Sequence, residues 1–182
     1  MKTLETDRLI LRLWQETDVN DMYEYAIDPR VGPSAGWPVH ENIETSKNIV
    51  NGFIKDKDVY AIVLKSENKV VGSLGLHDRK PDKAPENLKQ REIGYVLNPK
   101  YWGLGIIPEA VKCVLRHGFE DLDLDLVWCA HFSSNENSKR VIDKCGFNYQ
   151  FTENRTLKLI KDKEVESLNY SITRGEYFRQ LS

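Results

Sequence analysis

The chain has 182 residues, of which 40% are hydrophobic and 30% are charged, so it is long enough for one well-buried domain and short for two. Its 26 basic and 28 acidic residues give a net charge of −2, and no basic stripe interleaved with aromatic residues points to nucleic-acid binding. The first residues are charged where a signal peptide needs an apolar core, and no apolar run approaches membrane-spanning length. We therefore expect a single cytoplasmic domain over residues 1–182, with no nucleic-acid or membrane partner.

The order of apolar and polar residues predicts the elements of the fold. The first half predicts a strand at 9–13, a helix at 19–27 capped by Thr17 and Asp18, a helix at 43–55, and antiparallel strands at 59–65, 70–77 and 91–97. The second half predicts a helix at 109–119, a strand at 126–132, a helix at 136–144, and strands at 149–160 and 164–173. Antiparallel strands followed by alternating strands and helices indicate an α+β, mixed α/β fold with helices on the faces of the sheet.

Two long loops interrupt this pattern. Residues 28–40 are rich in Pro and Gly around Trp37, a large aromatic side chain that needs a surface to pack on and could line a pocket. Residues 78–90 are polar, contain two prolines, and predict a mobile connection.

The cysteines and histidines show no metal-site pattern. Cys113, Cys129 and Cys145 form no C-x-x-C pair and lie in apolar surroundings, so buried reduced thiols are expected. The four histidines show no metal-ligand spacing, and no metal cofactor is expected.

A glycine-containing loop lies between the strand at 91–97 and the following helix. Residues 98–109 read N-P-K-Y-W-G-L-G-I-I-P-E, and Pro108 suits the first turn of a helix. The two glycines let backbone N–H groups converge beside a helix N-terminus, which favours an anionic ligand such as a phosphate. The loop lacks both the G-x-G-x-x-G dinucleotide motif and a Walker G-K-[ST], and an ordinary strand-to-helix turn is an equal alternative for this motif alone.

A second motif covers the helix at 136–144. Ser133 and Glu136 could form a capping box at its start, and Gly146 could close its end. The pattern N-x-x-S from Asn135, followed by R-V-x-x-K-x-G-F, resembles the GNAT N-acetyltransferase superfamily, and in particular its branch of RimJ/RimL ribosomal-protein N-terminal acetyltransferases. The resemblance extends over T-D-R-L-I-L-R at 6–12, V-V-G-S-L-G-L at 70–76 and E-I-G-Y at 92–95, and so covers nearly the whole chain.

The resemblance implies a fold and a co-substrate. The fold is a splayed, mostly antiparallel sheet of about seven strands with helices on both faces, and acetyl-CoA lies between the strands containing residues 92–95 and 127–130. The implied cofactor-binding residues are Val96 and Leu97 along the pantetheine, the backbone of Trp102, Gly103, Leu104, Gly105 and Ile106 at the pyrophosphate, and Asn135 and Ser138 beside the pantetheine and sulfur. Trp102 and Ile107 depart from the family loop Q/R-x-x-G-x-G/A, at the Gln/Arg and second Gly/Ala positions.

Acetyl transfer to an amine needs a proton acceptor for the amine and a proton donor for the thiolate. The resemblance implies Glu92 as the base, acting through water, and Ser138 as the donor. The structural alternatives are an exposed or ion-paired strand carboxylate for Glu92 and a backbone-bonded helix serine for Ser138. His77 at its strand end and Trp37 in its loop are further candidates on the acceptor side, although a surface role is an alternative for His77.

The sequence therefore predicts an acetyl-CoA-dependent N-acetyltransferase acting on a primary amine, most simply a protein N-terminal α-amine of the ribosomal-protein type or a small-molecule amine. An α-amine, with a pKa of about 7.7 to 8.0, needs less help from a base than a lysine near 10.4. Polyamine or aminoglycoside acetylation and a non-catalytic acyl-CoA-binding module are the alternatives. The expected partners are acetyl-CoA and the acceptor, and a homodimer stays open.

Overall fold

The computed structural model describes residues 1–181, which form a mixed sheet of eight strands with helices packed on both faces. The strands are β1 (Leu4–Glu5), β2 (Leu9–Arg12), β3 (Val59–Leu64), β4 (Lys69–His77), β5 (Gln90–Leu97), β6 (Leu126–Phe132), β7 (Asn148–Leu157) and β8 (Lys163–Thr173). The helices are α1 (Val19–Ala26), α2 (Gly32–Ala35), α3 (Ile43–Asp56), α4 (Ile106–Arg116), α5 (Glu136–Lys144) and α6 (Arg174–Gln180).

The sheet follows the order β1-β2-β3-β4-β5-β6-β8-β7, and β5 with β6 is its parallel pair. The neighbours on either side of that pair are antiparallel, as are the other paired strands of residues 1–181. The register of β5 on β6 begins at Gln90 opposite Leu126 and ends at Ile93 opposite Cys129. Beyond that point the two strands part, so the sheet opens in its middle.

Two apolar cores explain why the central strands are buried on both faces. Helices α1 and α3 cover one face, where Met22 and Val50 pack with Ala61 and Val63 of β3. Helix α4 lies in the larger core on the other face, and every residue of β3 is buried because both faces are covered. The expected mixed α/β fold with a splayed, mostly antiparallel sheet and helices on both faces is confirmed.

The structure adds elements that the sequence pattern did not predict. The two-residue β1 raises the strand number from about seven to eight, and α2 and α6 lie in segments without a long apolar repeat. Helix α4 begins at Ile106, three residues before the predicted start, because Gly105 adopts a left-handed conformation and initiates it.

Two predicted helix caps are wrong. The Asp18 side chain binds Arg12 and the backbone N–H of Gln15 rather than the N-terminus of α1. At α5 the cap is the Asn135 side chain, which accepts a hydrogen bond from the Ser138 N–H, and not Ser133 with Glu136. The Asp18 carboxylate is thus taken up by Arg12 and Gln15, and Asn135 stands two residues closer to the start of α5 than Ser133 does.

The three cysteines are buried free thiols. Over residues 1–181 the structure contains no cluster of three or more His, Cys, Asp or Glu side chains that could hold a metal ion. Within the same residues no helix has the length and apolar character needed to cross a membrane.

Candidate active site

A cleft of about 620 Å³ opens where β5 and β6 part. Its walls include residues 94–97 of β5 and residues 130–132 of β6, which lie beyond the last paired residues of the two strands. The edge of β5 that faces β6 therefore has no strand partner here, and its backbone groups can pair with an extended ligand instead. The cleft brings together most of the predicted site residues: Glu92, Val96, Leu97, Trp102, Gly103, Gly105, Ile106, Asn135 and Ser138.

The glycine loop closes one end of this cleft. Gly103 and Gly105 have φ angles of +79° and +75°, a left-handed conformation in which a side chain is strained. A Cβ built on Gly103 would meet nothing within 4 Å, so open space lies in front of the backbone. Gly105 is followed directly by α4, whose first N–H groups, on Ile106 and Ile107, are free of intrahelical partners. The loop therefore has the form of an anion-binding cradle at a helix N-terminus.

An ion pair between Arg8, near the N-terminus, and Glu109 of α4 holds the glycine loop in position. Arg8 donates a hydrogen bond to the Leu104 carbonyl (2.9 Å) and another to the Glu109 carboxylate (2.7 Å). Thr6 donates to the same carboxylate, so two polar residues of the segment at 6–12, Thr6 and Arg8, contact the start of α4. The Leu104 side chain is exposed outside the cleft, and its carbonyl is the anchored group.

Trp102 takes a structural position beside the cradle. Its indole Nε1 donates to the Leu97 carbonyl at 3.0 Å, so that carbonyl, a predicted pantetheine partner, already has a donor. The Arg30 guanidinium lies 5.4 Å from the centre of the Trp102 ring and lines the cleft, within cation–π distance. Arg30, whose guanidinium also donates to the Asp28 carboxylate at 2.9 and 2.6 Å, thus lies near the position where the related loop has Gln or Arg.

Helix α5 forms the opposite wall through Asn135 and Ser138. The Asn135 amide nitrogen donates to the Ser34 carbonyl at 3.3 Å while its oxygen caps α5, so both ends of the side chain have partners. The Ser138 hydroxyl lies 2.9 Å from the Tyr95 hydroxyl, which also lies within 3.2 Å of the Ser138 carbonyl. Burial raises the pKa of Tyr95 well above its ordinary value, so this hydroxyl keeps its proton and can donate it to Ser138.

Glu92 lies in the cleft as an ion-paired carboxylate. Arg79 donates from Nε to one oxygen (3.0 Å) and from Nη2 to the other (3.2 Å). Only 9% of the Glu92 side chain is exposed, compared with 58% of the Arg79 side chain. The carboxylate is therefore held in place by β5, whereas its partner belongs to the connection after β4 and reaches in from solvent.

Trp37 and His77 lie outside the cleft walls. The Trp37 ring packs against Gly32 at the start of α2, where an added Cβ would approach ring carbons to 2.5 Å, and it contacts the His40 ring. His77 hydrogen-bonds through Nδ1 to Asp58 at 2.8 Å, and its ring lies over Gly75. Any role for these two residues at the acceptor is therefore indirect in this arrangement.

Several polar residues that line the cleft were not predicted from the sequence, among them Arg30, Arg79, Tyr95, Arg155 and Ser167. Tyr95 stands inside the E-I-G-Y segment but on the opposite strand face from Glu92, so alternation alone gives it no link to Ser138. Strand alternation of Phe151, Glu153 and Arg155 is visible in the sequence, but the pairing that brings β7 to the cleft is not.

Comparison with known families agrees with this geometry. Residues 8–148 match the family described as Acetyltransferase (GNAT) domain. This match covers most of the chain, and the protein belongs to the GNAT acetyltransferase family. A curated relative, "Uncharacterized N-acetyltransferase YoaA" of Bacillus subtilis, is 28% identical over 149 residues, which cover 79% of this chain and 81% of the relative. The chain is thus an N-acetyltransferase by family, as expected from its motifs.

Solved structures share the fold. A GNAT-family acetyltransferase from Bacillus anthracis superimposes with a TM-score of 0.84 at 24% identity, over 96% of this chain and 100% of that one. Ribosomal-protein-S5-alanine acetyltransferase from Vibrio fischeri gives 0.73 at 19% identity, over 97% and 99% of the two chains. The Microcin C7 self immunity acetyltransferase MccE, in complex with acetyl-CoA and AMP, gives 0.72 at 18% identity, over 92% and 93%.

Proposed function

We propose that residues 1–182 form a single N-acetyltransferase domain that transfers an acetyl group from acetyl-CoA to a primary amine. The acceptor is a protein N-terminal α-amine, of the ribosomal-protein type, or the amine of a small molecule. The observation that carries this proposal is that one cleft, formed where β5 and β6 part, has the glycine cradle at one end and the Glu92 carboxylate among its walls.

The cofactor end of the cleft suits the groups of acetyl-CoA. Pyrophosphate would be held by the backbone of the loop from Trp102 to Ile106 and by the N-terminus of α4, with Arg30 adding a cation beside it. The pantetheine arm, an extended chain with amide groups, would pair with the open edge of β5 at Val96 and with α5 at Asn135. Because the Asn135 side-chain amide donates to the Ser34 carbonyl and its oxygen caps α5, it would have to release Ser34 to donate to the pantetheine.

Glu92 is the proposed proton acceptor. The amine lone pair attacks the thioester carbonyl carbon, and the proton that the nitrogen loses passes to Glu92, directly or through one water. Both oxygens of the carboxylate accept hydrogen bonds from Arg79, so neither is free for the amine in this arrangement. Catalysis therefore requires at least one of these hydrogen bonds to open.

Ser138 is the proposed proton donor for the departing thiolate. When the carbon–sulfur bond breaks, the sulfur carries a negative charge, and a hydroxyl beside it can supply a proton or a hydrogen bond. Tyr95 can donate to the Ser138 hydroxyl oxygen, which leaves the Ser138 proton directed away from Tyr95. The tyrosine thus acts through the serine as a positioning residue.

The choice of an α-amine rests on acidity. Near pH 7.4 an amine with a pKa of about 7.7 to 8.0 is partly neutral, whereas roughly 0.1% of a lysine amine is neutral, so a single ion-paired carboxylate is adequate for the first. A protein N-terminus meets this condition, and a small molecule meets it when its amine has a similarly low pKa.

Turnover on a defined panel tests the proposal. Release of the CoA thiol would be followed with N-terminal peptides, small α-amines, spermidine and kanamycin, and the acetylated product would be identified by mass spectrometry. Glu92→Gln serves as the active-site variant, and Glu86→Gln, an exposed acid of the 78–89 connection, serves as the matched control. Tight acetyl-CoA binding without turnover on any amine would contradict the proposal and favour a non-catalytic acyl-CoA-binding module.

A further inference from the structure

The sheet face that carries Glu92 also carries a set of polar side chains from β7 and β8. Residues directly opposite each other in neighbouring strands point to the same face. Glu92 of β5 lies opposite Trp128 of β6. Phe132, on the same face of β6, lies opposite Ser167 of β8. Ser167 in turn lies opposite Glu153 of β7. Arg155 follows Glu153 by two residues and therefore shares this face. We call it the acceptor face.

On this face, another cation can replace the Arg79 guanidinium as the partner of the Glu92 carboxylate. An acceptor ammonium that reaches Glu92 competes with the Arg79 guanidinium for the same two oxygens. Arg79 can yield because its side chain is 58% exposed, whereas Glu92 is fixed in its strand. Once displaced, the guanidinium stays at the cleft as a cation without its former carboxylate.

A second arginine, Arg155, lies on the same face but on β7, at the far edge of the sheet from Glu92. Arg155 lines the cleft and donates to the Glu153 carboxylate at 2.7 Å, while the Asn169 amide donates to the same carboxylate oxygen at 3.2 Å. Because Asn169 also supports Glu153, the carboxylate keeps a partner when Arg155 turns toward a ligand.

An unpartnered hydroxyl lies on the same wall. Ser167 is 1% exposed, lines the cleft, and its hydroxyl has no hydrogen-bond partner among the described residues. A buried polar group without a partner costs free energy, and a ligand group that accepts or donates a hydrogen bond there would remove that cost.

We propose that the acceptor is an amine that carries a carboxylate or phosphate close to the amine, with the ammonium replacing Arg79 at Glu92 and the anionic group binding the guanidinium groups of Arg79 and Arg155. In such an acceptor the ammonium meets the Glu92 carboxylate and the anionic group meets the displaced Arg79 guanidinium, so each charge of the opened ion pair has an opposite charge beside it. Bidentate binding of carboxylate or phosphate is the geometry in which arginine is strongest. Polycationic acceptors such as polyamines and aminoglycosides lack the anion, so they leave the displaced Arg79 without a partner and bring further positive charge toward Arg155. This inference rests on the proposed acetyltransferase function.

Matched acceptors that differ by one charge test the proposal. Leucine is compared with leucinamide, an Asp-containing N-terminal tripeptide with its Asn counterpart, and both with spermidine, with kcat/KM expressed per neutral amine. We expect the anionic member of at least one pair to be preferred by about tenfold or more, the value of a charge-assisted hydrogen bond. The amino-acid arm and the peptide arm distinguish a free small molecule from an acidic N-terminus.

Variants assign the preference to the two arginines. Arg79→Gln and Arg155→Gln should each reduce the anionic preference severalfold, with the loss mainly in KM, and Arg155→Lys should retain part of it. Arg91→Gln, which removes a β5 arginine outside the cleft walls, is the control and should keep the full preference.

Two results would overturn the inference. Equal kcat/KM for both members of each pair, or spermidine as the preferred acceptor, would remove it while leaving the acetyltransferase function intact. Absence of turnover on every amine, with acetyl-CoA bound, would instead overturn the proposed function and the inference with it.

Discussion

The Tyr95 hydroxyl on β5 lies 2.9 Å from the Ser138 hydroxyl on α5, and this contact bridges the two walls of the cleft. It joins a strand residue to the first turn of a helix 43 positions further along the chain. Burial raises the pKa of Tyr95 well above its ordinary value, so its hydroxyl keeps a proton that it can donate to the Ser138 hydroxyl or to the Ser138 carbonyl.

Removing either hydroxyl tests this relationship. We predict that Tyr95→Phe and Ser138→Ala each lower kcat by roughly tenfold or more with little change in acetyl-CoA affinity, because each removes a hydrogen bond needed when charge develops on sulfur. The double variant should be no worse than Ser138→Ala alone, since the two hydroxyls act as one unit. Tyr149→Phe, at an exposed tyrosine, is the control. Additive losses would show that Tyr95 acts independently of Ser138.

Acetyl-CoA should raise the melting temperature of the protein, because a ligand that binds only the native state stabilises it by about 2.7 kcal/mol at a hundredfold excess over Kd. Gly105→Val should abolish that shift, since the φ of +75° strains any side chain and the branched group blocks the backbone cradle. Gly52→Val, a helical glycine with open space around it, is the folded control. A folded Gly105→Val protein with an unchanged shift would disprove the cradle assignment.

Glu92→Gln should preserve acetyl-CoA binding but lower turnover by roughly a hundred- to ten-thousandfold at neutral pH, the usual range for loss of a general base. The deficit should shrink as the pH rises, because the acceptor then loses its proton unaided. A pH profile of kcat/KM for both proteins measures this effect. If the loss stays below about threefold at every pH, Glu92 is a structural partner of Arg79 and another group is the base.

Trp37→Ala should raise KM for the amine with little change in KM for acetyl-CoA. The ring packs on Gly32, and the short helix that begins there supplies Ser34 and Ala35 to the cleft wall. Losing the ring should also lower stability by about 2 kcal/mol or more, because it belongs partly to an apolar core. Kinetics for both substrates, together with thermal unfolding, separate these effects. A change in stability alone would assign Trp37 to packing.

Glu24 should control part of the acid stability. Hydrogen bonds from Lys100 and Lys69 lower its pKa to about 2 from an ordinary 4.5. The folded-state pKa is below the unfolded one, so the stabilisation is present above about pH 4.5 and is lost as the pH falls toward 2. Because the group is partly solvated, we expect about 1 kcal/mol. Denaturant unfolding of Glu24→Gln should show a flatter decline over that range than the unmodified protein.

Local sequence pattern predicted most of the elements but not their contacts. The central strands and the helix at Glu136–Lys144 were predicted within a residue or two, because their apolar periodicity is strong. Helix α2 has only four residues and no apolar repeat, so no periodic signal could reveal it. The start of α6 did carry a signal, since Thr173 and Glu176 form a capping box.

In the candidate site, too, the residues within local motifs could be predicted and those brought together by strand pairing could not. The glycine loop, Glu92 and Ser138 stand in continuous motifs, so they could be proposed from the sequence. Arg79 and Arg155 lie in a polar connection and at the edge of the sheet, and they reach the cleft only through pairing across β5, β6, β8 and β7. Such non-local register is not encoded by alternation within any one strand.

The open seam between β5 and β6 also divides the sheet into two continuous pieces of chain. One half of the sheet consists of β1 to β5, which end at Leu97, and the other consists of β6 to β8, which begin at Leu126. Each half is therefore made from one continuous segment of the chain. Across the seam the ladder spans only Gln90 to Ile93. The sheet is therefore organised so that two separately made fragments, one for each half, could reassemble. Acetyl-CoA bound along the seam would contact both halves and so stabilise their association.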